Sequence, residues 1–155
     1  MRRLAASVVA VLLFGGCAQG LQFTADHRLQ IDAPRARQRV TSPFAVDWTM
    51  RGANDGVYAV FVDQAPMPVG KSLHWVGRND ESCTRNPRCP DVAYLANVDV
   101  YVTPVTHVTI DRLPKADAGR GDEHHSVTIV LLDKQGVRHS EASWYRAFTM
   151  KRRHQ

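Results

Sequence analysis

The strongest constraint on this chain is a period of two. Phe44, Val46, Trp48 and Met50 fall on one side of an extended segment, while Ala45, Asp47 and Thr49 fall on the other. That alternation is the signature of a strand with one buried face. Residues 57–62 are apolar on both faces, as a central strand requires, and Asp63 closes them. Shorter alternating runs surround these two. Leu29 and Ile31 precede Pro34, Val40 precedes the break at Ser42-Pro43, and residues 73–76 read as a short strand. Val98, Val100 and Val102 alternate up to Pro104, and Thr106, Val108 and Ile110 alternate up to Leu113-Pro114. Residues 126–132 and 137–150 flank Asp133-Lys134-Gln135-Gly136, the pattern of a hairpin with a glycine placed for positive φ. Turn residues separate the runs: Asn54-Asp55-Gly56, the stretch from Pro66 to Gly70, and a charged, glycine-bearing loop over 115–123. Beyond the N-terminal segment no window carries a helical period. The prediction is an all-β sandwich of about seven or eight short antiparallel strands.

The first residues have a different character. Arg2 and Arg3 precede an uncharged apolar run over 4–14, which falls short of the roughly 20 residues that span a bilayer. It suits the helical core of an export signal. Leu13-Phe14-Gly15-Gly16-Cys17 then resembles a bacterial lipobox, with Phe14 where leucine is commonest. The resemblance implies that residues 1–16 are a signal peptide and that Cys17 is lipidated and becomes the new N-terminus. Residues 17–27 are then a lipidated start and short tether, 28–150 the sandwich, and 151–155 a solvated basic tail. It also implies attachment to the cell membrane from the extracytoplasmic side. Ala18 after the cysteine resembles the default for outer-membrane sorting where a cell has two membranes.

Export agrees with the other cysteines. The chain has 3 cysteines; with Cys17 assigned to lipid, Cys83 and Cys89 remain, inside a polar loop over 77–91. In an oxidising compartment such a pair reads as a disulfide. A zinc knuckle has other spacing and needs a nearby histidine, and a redox dithiol prefers two intervening residues.

Arg28-Leu29-Gln30-Ile31-Asp32-Ala33-Pro34, followed by Phe44-Ala45-Val46-Asp47-Trp48, resembles the opening strands of bacterial immunoglobulin-like domains. Residues 127–136 look like their penultimate strand and final turn. The resemblance implies an immunoglobulin-like sandwich acting as a binding or spacing module. The bridge that pins the two sheets in antibody domains is not available here, because both cysteines lie in one loop.

The formal charge of +5 counts 20 basic against 15 acidic residues; without Arg2 and Arg3 it falls to +3. The charges are interspersed, which excludes a nucleic-acid footprint. Asp122-Glu123-His124-His125 gathers potential metal ligands, with His139 or His107 to complete a site. Adjacent residues on a strand point to opposite faces, however, so a polar strand start is the simpler reading. Arg120-Gly121-Asp122 is an adhesion tripeptide and also an ordinary loop sequence. Trp48 reads as core, as do Trp75 and Trp144, although the latter two could serve as stacking surfaces. No strained Gly-x-Ser-x-Gly elbow, His-Glu-x-x-His run or glycine-rich phosphate loop occurs, so no enzyme and no cofactor is expected. The expectation is a lipid-anchored envelope module that binds a protein or glycan through the loop over 77–91, with Arg78, Arg85 and Arg88 as donors. The alternative is an extracytoplasmic metal-binding protein using His124, His125 and His139.

Overall fold

The structure, a computed structural model, describes residues 26–52, 56–113 and 123–150. The signal segment with Cys17, the turn residues 53–55, the loop with Arg120-Gly121-Asp122 and the tail over 151–155 lie outside the described residues.

Among the described residues, eight strands form two sheets. β1 (Leu29–Ala33), β3 (Phe44–Met50) and β6 (His107–Ile110) form a three-stranded antiparallel sheet in the order β1-β3-β6. β2 (Arg39–Val40), β8 (Trp144–Met150), β7 (Glu123–Leu132), β4 (Val57–Val62) and β5 (Val100–Thr103) form the other, in that order. The alternation in β3 behaves as its sequence requires. Phe44, Val46 and Trp48 are buried, and Thr49 is exposed. With Leu29, Ile31 and Ile110 they meet Tyr58, Val60, Val127, Ile129 and Phe148 from the facing sheet. Trp48 packs edge-on against Tyr58 with ring centroids 5.1 Å apart. The protein is therefore an all-β, two-sheet sandwich.

One pairing departs from the antiparallel expectation. β2 runs parallel to β8, Arg39 opposite Thr149 and Val40 opposite Met150. Between β1 and β2 the chain crosses from one sheet to the other, and Arg37 takes φ 59° at the crossing. Its N–H donates to the Ala147 carbonyl at 3.0 Å, and the Thr149 N–H donates to Gln38 at 2.8 Å. Parallel pairing is open to β2 because no hairpin joins it to β8; the two strands are far apart in sequence.

The larger departure is between β4 and β5. Residues 63–99 do not form a loose loop; they fold into a small cap. Residues 73–76, read as a strand, contain a 3₁₀ turn at Leu73–Trp75, followed by α1 (Glu81–Thr84) and α2 (Val92–Asn97). Ser72 makes only an isolated bridge to Val137. Residues 137–143 are likewise not strand, so the closing strand begins at Trp144. The cap lies on the outer face of the five-stranded sheet. Met67 and Leu95 pack there on Ala59, Phe61, Val100, Val130 and Leu132, forming a second apolar core. That arrangement explains why β4 is apolar on both faces: each face has its own layer.

Candidate functional site

The cap is the most elaborated surface that the sandwich carries. Its helices, four and six residues long, are too short to persist alone, so their ends and cross-links hold them. Asp80 caps α1, its carboxylate accepting from the N–H groups of Ser82 at 2.8 Å and Cys83 at 3.2 Å. The Ser82 hydroxyl donates to the same carboxylate at 2.6 Å. These bonds, the Ser82 hydroxyl first, hold the Asp80 carboxyl below its ordinary value. Asp91 caps α2 by accepting from the Tyr94 N–H at 2.8 Å. Cys83 and Cys89 are joined in a disulfide with Cα atoms 5.1 Å apart, both buried. Gly77 lies against that bridge so closely that a Cβ would run into Cys83 Sγ. The expected disulfide and the two carboxylate caps thus cross-link the loop along its length.

The three arginines expected here have separate surroundings. Arg78 lies over the Trp75 ring, guanidinium carbon 4.1 Å from the centroid, and donates from Nη1 to the Trp75 carbonyl at 2.7 Å. Trp75, half-buried, is therefore a support for Arg78, with Lys71 also 5.4 Å from its ring. Arg85 forms an exposed ion pair with Glu81 one helical turn earlier. Arg88 is exposed, its backbone N–H held by Asn86 Oδ1 at 3.0 Å. A shallow pocket of about 350 Å³ opens between His74, Arg78, Thr84 and Asn86, with the disulfide in its wall.

The histidines are not brought together. His124 is exposed and His125 buried, on opposite faces of β7. His125, its side chain 1% exposed, meets Asp63 Oδ2 at 2.6 Å through Nδ1 and lies 3.5 Å from Glu123 through Nε2. It also stacks on Phe148 at 5.7 Å. His139 pairs with Asp133 at 2.6 Å beyond the opposite end of β7. At about 3.3 Å per strand residue that leaves more than about 20 Å between it and His125. His107 pairs with Asp47 on the three-stranded sheet at 2.5 Å. Each of these three pairs with a carboxylate of its own, and among the described residues no group of three or more His, Cys, Asp or Glu is placed to hold a metal ion.

Sequence reasoning missed Arg138. Although only 6% exposed, it donates to the carbonyls of Met67 at 2.7 Å, Ser140 at 2.9 Å and Glu141 at 3.1 Å. Its backbone joins in, donating to Lys71 at 3.0 Å and accepting from Gly70 at 2.7 Å. It bolts the start of the cap to the connection between β7 and β8. Burial pulls its pKa below the usual arginine value. A single arginine after a turn carries no sequence mark that separates this role from a surface one.

No protein-family model matches the chain, and neither a curated protein nor a solved structure matches it.

Proposed function

We propose that this protein is an exported lipoprotein, anchored through Cys17, whose sandwich presents the cap as a non-enzymatic recognition surface for an envelope protein or glycan. The observation that carries the reading is the clamped cap itself. A segment with little core of its own is fixed by a disulfide, two carboxylate helix caps and a buried arginine, and it displays Arg78, Arg85 and Arg88 on a rigid frame. Rigid scaffolds that carry irregular, charged insertions are where recognition concentrates, and pre-ordering lowers the entropic cost of binding. The strand arrangement supports the immunoglobulin-like assignment. Lettered A, A′, B, C, C′, E, F and G in chain order, the strands divide into ABE and A′GFCC′, the division of such sandwiches apart from one absent edge strand. The cap then occupies the C–C′ connection.

A photo-crosslinking residue at position 86, introduced in cells with an intact envelope, tests the reading. Adducts are expected, and Arg85→Ala with Arg88→Ala should abolish them while leaving the thermal midpoint unchanged. Adducts that persist in the double variant would remove the cap from recognition. Denatured mass spectrometry of the extracted protein tests the anchor: the expected mass is a chain starting at Cys17 plus acyl groups, less the hydrogens of one disulfide.

A further inference from the structure

A second site lies at the end of the sandwich where residue 26 enters. β1 and the first half of β8 are neighbours across the two sheets, and a cleft of about 510 Å³ opens along their seam. Its lining includes His27, Arg51, Trp144, Tyr145 and Arg146, together with the single carboxylate of Asp26. That carboxylate is already engaged. Arg28 grips it with Nη2 to Oδ2 at 2.7 Å and Nε to Oδ1 at 3.1 Å, and this grip lowers the Asp26 pKa. Arg51 and Arg146 therefore face the cleft with no lining carboxylate left to neutralise them. Arg146 is also short of acceptors. Its Nη2 donates to the Ile31 carbonyl at a long 3.2 Å, and its buried Nε has no hydrogen-bond partner among the described residues. The half-buried guanidinium of Arg146 and the exposed one of Arg51 both line the cleft, and such cations form their strongest hydrogen bonds with an anionic partner. Trp144 forms a fixed wall, buried and tied through Nε1 to the Asp26 carbonyl at 2.6 Å, whereas Tyr145 is 64% exposed. A fixed aromatic wall suits the apolar face of a ring.

We propose that this cleft binds an organic anion of sugar size, a carboxylate or phosphate ester, with Arg51 and Arg146 holding the acid group and Trp144 bounding the body. The volume lies within the range of small-ligand sites. The site does not depend on the cap reading, since it lies on other strands and uses other residues, so each fails separately.

Calorimetric titration of the full chain in nonionic detergent, with sodium glucuronate, glycerol 3-phosphate, inorganic phosphate and glucose as probes, decides the matter. The expected result is saturable binding of glucuronate or glycerol 3-phosphate with a midpoint of about 1 mM or below, and none of glucose. Preference for glucuronate identifies an acidic saccharide as the source; preference for glycerol 3-phosphate identifies a lipid headgroup. Arg51→Gln, on an exposed residue, should weaken binding roughly tenfold without altering the melting profile, and Arg146→Gln should do so more strongly. Inorganic phosphate binding as well as either organic probe, an unaffected Arg51→Gln, or no saturable heat with any probe would overturn the proposal.

Discussion

The two apolar cores of this protein are built by different means. Between the sheets, periodic strands deliver buried side chains in register, and Leu29, Val46, Trp48, Val60 and Ile129 need only alternation to meet. Under the cap, the sheet supplies Ala59, Phe61, Val130 and Leu132 on the same regular period, but the covering side is aperiodic, with Met67 from an irregular segment and Leu95 from a helix of six residues. What the covering side lacks in period it replaces with particular bonds: the Cys83–Cys89 bridge, the carboxylates of Asp80 and Asp91, and Arg138 on three carbonyls. A periodic layer owes its position to many equivalent contacts, whereas an aperiodic one depends on a few that have no substitutes.

Variants can break that comparison at either core. The largest effect is expected from Trp48→Ala, which empties the inner core and should cost about 3–5 kcal/mol. Urea unfolding should show a single transition moved to lower denaturant for both layers; loss confined to the cap would contradict the inner core's role. Arg138→Met keeps the aliphatic bulk and strips donors from three carbonyls, with an expected cost of about 2–4 kcal/mol. Here the layers should separate. Hydrogen exchange should quicken at Gly70, Lys71 and Leu95 while Val46 and Trp48 stay protected, and uniform quickening would mean the cap is not an individually held unit. The smallest effect belongs to Asp99, at the cap's exit. Burial first, and the Asp63 charge second, raise its pKa above the ordinary 3.8. A carboxyl raised in the folded state favours folding below its unfolded pKa, and that advantage is lost as pH rises through the folded value. Asp99→Asn should therefore raise the melting temperature slightly at neutral pH, and the gain should vanish in acid. A gain independent of pH would assign it to something other than charge.

The same division separates what the sequence makes legible from what it hides. The bounds of β3 and β4 follow directly from alternation and from a doubly apolar run, because the period of two is long enough there to be unambiguous. Apolar character on both faces of residues 57–62 was also the one hint of a third layer. The cap itself could not be read. Helices of four and six residues do not complete enough turns to display a period, and Leu73-His74-Trp75-Val76 fits a strand as well as a 3₁₀ turn. In the candidate site, the pairing of Cys83 with Cys89 and the opposed faces of His124 and His125 were legible because they rest on local spacing. The bond from Arg138 to Met67 and the Asp63–His125 pair were not, since each joins residues more than sixty positions apart in sequence.

The cap leaves the sheet at Asp63 and returns at Asp99, both with φ near the left-handed region at 54° and 57°, and the Val62 N–H donates to the Asp99 carbonyl at 3.0 Å. Its two ends are thus already joined at the mouth of one hairpin, so the surrounding strands place little demand on what lies between them. The exposed residues of such a segment, Arg85 and Arg88 among them, can be replaced without disturbing the sheets. The segment cannot simply be dropped, because Phe61 and Leu132 would then face water. What the segment displays is therefore open to substitution, while the side chains by which it covers the sheet are not.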